Sequence, residues 1–159
     1  MTPSSQRVST LLGLAIAALI TIAVPDVYIA SALIGSRAEL RTAAEITARL
    51  VTDFVATSPG AWQSRQDRLE HLMKNDPMFM QPRGLWQVLT LRGEVLATVG
   101  ETPLSPVGTA SAPVYDAGVL VGQVSVSASL RRIATIGAAL TLLGLALGLS
   151  VYAMVRRLE

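Results

Sequence analysis

Residues 133–155 read IATIGAALTLLGLALGLSVYAMV, a run without a single charged side chain. At about 1.5 Å of rise per residue, a helix of this length crosses the roughly 30 Å hydrocarbon core of a bilayer. Only a helix satisfies its backbone amides within one such segment, because lipid offers no hydrogen-bond partners. The sequence therefore predicts a membrane-spanning helix over 133–155.

A second uncharged run, VSTLLGLAIAALITIAV, covers residues 8–24 and ends at Pro25, after which the apolar pattern resumes. We predict a further membrane-spanning helix over 8–30. The alternative is a cleaved signal peptide, with Arg7 before the run and Ala30-Ser31-Ala32 as the small-residue site. The run is longer than a usual signal core and continues as a helix, which favours a membrane span.

The charges are segregated along the chain: ten of the thirteen basic residues lie between the two uncharged runs. Soluble proteins do not usually segregate charge in this way. We therefore predict an α+β membrane protein in which two transmembrane helices flank a small water-exposed domain. The predicted segments are a terminus over 1–7, spans over 8–30 and 133–155, the domain over 31–132, and a terminus over 156–159.

Several functional classes find no support in the residues. Basic side chains alternate with acidic ones and do not cluster with aromatics, so nucleic-acid binding is not expected. The chain has no cysteine, which excludes disulfides and thiolate metal sites. His71 is the only histidine, and one imidazole does not build a metal site. We find no catalytic constellation or phosphate loop, and we predict no enzyme, no cofactor and no metal.

The first part of the central segment predicts two helices. Residues 31–58 read as one long helix that stops at Pro59-Gly60, and residues 62–74 read as a shorter one. The long helix carries a weak heptad stripe of Leu33, Ser36, Leu40, Ala43, Thr47, Leu50 and Phe54. This stripe has two interpretations: a face that packs on its own domain, or a dimer seam that continues from the membrane helix.

The second part of the central segment changes to a period of two, which indicates strands. We predict a hairpin that turns at Arg92-Gly93, and a turn at 116–118. In the last strand, Val124 and Val126 alternate with serines, so one face should be buried and the other wet. The predicted strands cover 85–91, 94–99, 112–115 and 119–130, with a loop over 101–109, and form an antiparallel meander.

One motif carries a family resemblance. Residues 112–126, APVYDAGVLVGQVSV, run directly into the second predicted span. The whole arrangement resembles the N-terminal input half of bacterial two-span sensors, which are membrane histidine kinases and related diguanylate cyclases. Their periplasmic domains are often PAS-like or Cache-like. The resemblance implies a periplasmic central domain and a cytoplasmic output domain, which lies outside this sequence.

The charges near the spans do not decide the orientation. Basic residues near short flanks favour the cytoplasm, but here the two sides are nearly balanced: Arg7, Arg156 and Arg157 against Arg37, Arg41, Arg131 and Arg132. The resemblance is therefore the main reason to place both termini in the cytoplasm and the domain in the periplasm. On this topology Arg131, Arg132, Arg156 and Arg157 mark the boundaries of the second span.

Two sets of site residues follow. Arg65 and Arg68, with Trp86 and Tyr115, are candidates for binding a small anionic ligand, and the alternative is surface ion pairs and ordinary core aromatics. Small residues predict close helix packing in the membrane, namely Gly13, Ala17, Gly144 and Gly148. Such faces suggest a four-helix bundle in a homodimer.

Together these features predict a signal-input module that senses a periplasmic stimulus and relays it through the second membrane helix. The expected partners are membrane lipid, a second copy of the chain, and a periplasmic ligand or protein. The alternative is a two-span inner-membrane scaffold that binds another envelope protein.

Overall fold

The computed structural model describes the backbone of residues 3–57, 62, 65–75 and 84–158, and the side chains of these residues except 3–14, 16, 17, 20, 155, 156 and 158. The helices are α1 (Pro3–Thr57), α2 (Gln66–Asn75) and α3 (Arg131–Leu158). The strands are β1 (Gly84–Thr90), β2 (Val95–Gly100), β3 (Val107–Asp116) and β4 (Val119–Ser129). Two compact units result: unit 1 joins Met1–Leu33 with Arg132–Glu159, and unit 2 is Ile34–Arg131.

The four strands of unit 2 form one antiparallel sheet in the order β2-β1-β4-β3. The predicted α+β architecture is confirmed, but the predicted meander is wrong, because β4 lies between β1 and β3. The two central strands carry Val88, Val124 and Val126, which are 0–1% exposed. Strand β3 carries Pro113 and takes an edge, where a missing N–H breaks no ladder hydrogen bond.

Strand β3 begins at Val107, five residues before the predicted strand at 112–115. Two prolines and a glycine predict a loop over 101–109, but both prolines precede the strand. Gly108 lies inside the strand, where an added Cβ would meet the side chains of Leu40 and Leu130 at 3.2–3.4 Å. The lack of a side chain is therefore a packing requirement and not a turn signal.

The turns differ in how well they follow the prediction. Ala117 and Gly118 have φ values of +47° and +84° and join β3 to β4 in a two-residue turn, which lies within the turn predicted at 116–118 and leaves Asp116 in β3. The Arg92-Gly93 connection is longer than predicted, because β1 ends at Thr90 and β2 begins at Val95. The Thr90 hydroxyl accepts hydrogen bonds from the N–H groups of Arg92 and Glu94, which stabilises this wider loop.

The core of unit 2 lies between one face of the sheet and the helices. The buried face of α1 consists of Leu40, Ala44, Thr47, Ala48, Val51 and Val55. The predicted stripe lies along one border of this face: Leu40 and Thr47 are buried, whereas Ala43, Leu50 and Phe54 are half-buried. The interpretation that the stripe packs on its own domain accounts for these residues.

Helix α2 adds Leu69 and Met73 to the core, both at most 1% exposed, and packs against β2. It begins at Gln66, four residues later than the helix predicted over 62–74. The Arg65 carbonyl oxygen accepts the first hydrogen bonds of the helix, from the N–H groups of Arg68 and Leu69. Trp62 lies outside the helix but is buried, 3% exposed.

Unit 1 contains α3 and the first part of α1. One stretch of the described residues, Arg131–Met154, is a helix long and apolar enough to cross a membrane. Only 6% of its most apolar 18 residues are buried. A core helix of a soluble protein would be mostly buried. The first predicted span falls on a part of α1 whose side chains are described at residues 15, 18, 19 and 21–30, and the helical backbone passes without a break through Pro25.

Candidate functional site

Within unit 1, α1 and α3 approach closely at Thr21 and Gly144. The Thr21 hydroxyl donates a hydrogen bond of 3.2 Å to the Gly144 carbonyl oxygen. A Cβ on Gly144 would lie 2.9 Å from Thr21 Cγ2 and 3.2 Å from the Thr21 carbonyl oxygen. Because residue 25 is proline, the Thr21 carbonyl also lacks its usual helical amide donor. This contact requires glycine at position 144.

Gly148, one turn further along α3, is less constrained. A Cβ there would meet only the Thr21 hydroxyl oxygen, at 3.7 Å, which is an ordinary contact distance. Gly144 and Gly148 line an apolar hollow of about 360 Å³ together with Pro25 and neighbouring aliphatic side chains. The other two predicted packing residues, Gly13 and Ala17, are not among the residues whose side chains the structure describes.

Within unit 2, a groove runs between α1 and the edge strand β3. It consists of two adjoining hollows of about 500 and 400 Å³, which share Glu45, Ala112 and Pro113. Its floor is made of small side chains, because Ala48 on α1 faces Ala112 on β3 and both are at most 4% exposed. Contacts close both ends: Leu40 lies against Gly108, and the Tyr115 N–H donates to Thr52 Oγ1 at 3.3 Å.

The rim of this groove is charged along α1. Arg37, Arg41, Glu45, Arg49 and Asp53 recur every four residues, so they share one side of the helix. The Arg41 Nε lies 2.9 Å from Glu45 Oε1 in an exposed ion pair. Arg37 forms no ion pair among the described residues, and it lines the hollow at the Thr109–Ser111 end.

The four predicted ligand residues do not form one site. Tyr115 lines the groove beside β3 and is 44% exposed. Arg68 lines a separate hollow of about 460 Å³ with Phe54, Asp67, His71 and Leu72. Arg65 is exposed, and Trp86 is half-buried against the core, so the aromatic is structural here.

The histidine and the boundary arginines stand apart from both sites. His71 is exposed, and its Nδ1 lies 2.8 Å from the Asn75 side-chain nitrogen. Among the described residues, no three acidic or imidazole side chains group in a way that could hold a metal ion. Arg131, Arg132 and Arg157 are exposed, whereas the side chain of Arg156 is outside the described set.

Sequence reasoning missed Thr52 and the small groove residues, and it did not pair Thr21 with Gly144. Thr21 is one of the four-residue repeats of small side chains in the first apolar run, but nothing in the sequence identifies Gly144 as its partner. Taken together, the arrangement offers a close helix contact and a sheet-edge groove, which are suited to binding and conformational coupling. The chain matches no protein-family model, and a comparison with curated proteins also gave no match.

Proposed function

We propose that this chain is the signal-input module of a two-span protein of the bacterial inner membrane, with unit 2 in the periplasm and two copies side by side. The observation that carries the proposal is the continuity of the chain at the two borders of unit 2. Helix α1 runs unbroken from Pro3 to Thr57 and contributes to both units. At the other border, only Leu130 separates the end of β4 from the start of α3.

The exposed apolar side chains of unit 1 support two spans. On α1, Leu19, Ile22 and Val27 are 64–68% exposed, and on α3, Leu142 and Leu149 are each 68% exposed. Burial of apolar surface contributes about 25 cal/mol per Å², so such helices are stable in lipid or against another protein but not in water. The same exposed aliphatic side chains offer packing surfaces for the corresponding helices of a second copy.

In the proposed mechanism, a stimulus changes the packing of the unit 2 sheet on α1. Strand β4, central in the sheet, then displaces or rotates α3, and the output domain of the same protein responds. The Thr21–Gly144 contact is the point at which α3 slides or pivots on α1. Arg131 and Arg132 mark the outer end of the span, and Arg156 and Arg157 mark its inner end. A stimulus acts by favouring one of two packings.

The test fuses the chain to a reporter output kinase in bacterial membranes and replaces Gly144 with leucine. We expect the reporter signal to change about 2- to 30-fold, the range in which residues on a coupling route act. Gly148→Ala is the matched control, because its Cβ has room, and it should leave the signal unchanged. An unchanged signal in Gly144→Leu would contradict the proposed relay.

Both tryptophans of the chain, Trp62 and Trp86, belong to unit 2. Their emission therefore reports whether unit 2 stays folded in each variant, independently of the membrane helices. We expect the same emission spectrum for the native chain, Gly144→Leu and Gly148→Ala. A spectrum shifted to the red in Gly144→Leu would mean that the signal changed because unit 2 unfolded.

A scaffold that binds another envelope protein is the second candidate. The groove beside β3 favours it, because an edge strand next to an open groove is a surface to which proteins add extended segments. A reporter fusion that ignores Gly144→Leu, together with a binding partner for the groove, would favour the scaffold.

A further inference from the structure

Three features of β3 show which of its backbone N–H and C=O groups point away from β4. The Pro106 carbonyl oxygen accepts a hydrogen bond from the N–H of Leu130, which follows β4, so residue 106 faces β4. Pro113 has no N–H to give to β4, and the Tyr115 N–H points away from β4 to Thr52. Since the direction alternates along a strand, residues 107, 109 and 111 present their N–H and C=O groups to the open edge.

The groove beside this edge has the dimensions of a short extended peptide. Its closed ends, at Leu40 and Thr52, are twelve residues apart on α1. At about 1.5 Å of rise per helical residue, this separation is roughly 18 Å, which matches about five residues of a strand. The small alanine side chains on the floor leave space for the side chains of a bound extended peptide that point toward α1.

The charged side chains on the rim indicate which charge a bound peptide would have. At the Gly108 end of the groove, Arg37 and Arg41 line the same hollow as Thr109 and Ser111, and Glu45 is already paired with Arg41. An acidic side chain of the peptide would therefore meet Arg37, which has no carboxylate partner among the described residues. Arg37 is exposed, so the attraction is modest and mainly sets register and partner choice.

We propose that this groove binds an extended, acidic peptide segment of a partner protein, which pairs with β3 as a fifth strand of the sheet. The inference goes beyond the proposed function and does not depend on it, because a sensor and a scaffold could both use such a contact. The outward N–H and C=O groups of residues 107, 109 and 111 supply affinity, and the rim with Arg37 supplies specificity.

A second copy of this chain is a poorer occupant. Only residues 107–111 have outward groups to pair, so two-fold pairing of β3 with its counterpart would be centred on Thr109. The hollow at Thr109–Ser111, with Arg37 and Arg41, would then lie at the two-fold axis and face the same residues of the second copy. Like charges directly opposed across an interface are unfavourable. The pairing run is also short, because Pro113 lacks a donor and Thr52 occupies the Tyr115 N–H.

The test uses the full chain in lipid nanodiscs and a panel of fluorescent heptapeptides that alternate valine with glutamate, threonine or lysine. We expect the glutamate-containing peptides to bind best, by fluorescence anisotropy. Ser111→Pro removes one outward N–H without touching the β4 ladder, and it should weaken binding about tenfold. Arg37→Glu should weaken the glutamate peptides about fivefold and strengthen the lysine peptides.

The matched control modifies the peptide and leaves the protein native. N-methylation of the alternate residues that face β3 should abolish binding, whereas methylation of the intervening residues should preserve it. Three results would overturn the proposal: no peptide binding at about 1 mM, affinity indifferent to both methylation patterns, or a β3-dependent dimer, seen as a mass change in Ser111→Pro nanodiscs, in place of peptide binding.

Discussion

Ala117 occupies a backbone conformation that its side chain disfavours. It has a φ of +47° at the first central position of the turn between β3 and β4, and Gly118 follows with +84°. A turn that needs two positive φ values matches the twist of a hairpin, and Asn-Gly is the pair that adopts it most readily. An L-residue with a Cβ costs about 1–2 kcal/mol in this region. The turn therefore forms because the strands on both sides require it.

Replacing Ala117 with asparagine should recover part of this cost. We expect Ala117→Asn to raise the free energy of unfolding of unit 2 by about 0.5–1 kcal/mol, because asparagine tolerates the left-handed region. Denaturant titration followed by the emission of Trp62 and Trp86 measures the change. Gly118→Ala is the opposite control and should lower stability, and a gain in both variants would contradict the backbone argument.

Single residues also show where sequence reasoning ends. The spacing of Gly144 and Gly148 predicts two equivalent packing positions, but the structure distinguishes them. Only Gly144 lies where an added Cβ would come within 3.0 Å of Thr21. That difference depends on which residue of α1 lies opposite each glycine, and on Pro25, which follows Thr21 by one helical turn. Neither is encoded in the local pattern of α3.

At the scale of elements, α2 is a short amphipathic helix whose stability depends on its packing. Its ten residues form less than three turns, and helices this short are marginal without tertiary contacts. Leu69 and Met73, one turn apart, are buried, whereas Lys74 and Glu70 form an exposed ion pair of 2.6 Å that adds little. The apolar contacts hold α2 in place.

Truncation of Leu69 tests this dependence. We expect Leu69→Ala to lower the free energy of unfolding of unit 2 by about 2–4 kcal/mol, because it leaves a cavity in the core. Leu72→Ala is the matched control: Leu72 is half-buried at the hollow beside Phe54, and its loss should cost less than about 1 kcal/mol. Equal losses in the two variants, measured by thermal unfolding, would contradict the assigned face of α2.

The elements were predictable to different degrees. The long helix, the alternation in β4 and the turn at Ala117-Gly118 follow from periods and turn residues, which act locally. The strand order does not, because pairing of β1 with β4 joins residues about forty positions apart in the chain. Pro113 does indicate an edge strand, since an interior strand needs every N–H. The charged row on α1 is visible in the sequence, but the groove beside it exists only after β3 is placed at the edge.

At the scale of the whole molecule, the location of unit 2 relative to the membrane decides between the proposed functions. The proposed input function requires α1 and α3 to cross the membrane and unit 2 to face the periplasm. The reporter prediction at Gly144 would lose its physiological meaning if the orientation were reversed, because the relay ends in a cytoplasmic output domain. The chain has no cysteine, so a single introduced thiol is a clean topology probe.

The most direct measurement places one cysteine at exposed Ala117 and, in a separate variant, one at Ser4. A membrane-impermeant maleimide is added to intact cells whose outer membrane has been permeabilised. The account predicts labelling of Ala117→Cys and none of Ser4→Cys until the inner membrane is opened. Labelling of Ser4→Cys with protection of Ala117→Cys would place unit 2 in the cytoplasm and contradict the proposed sensing of a periplasmic stimulus.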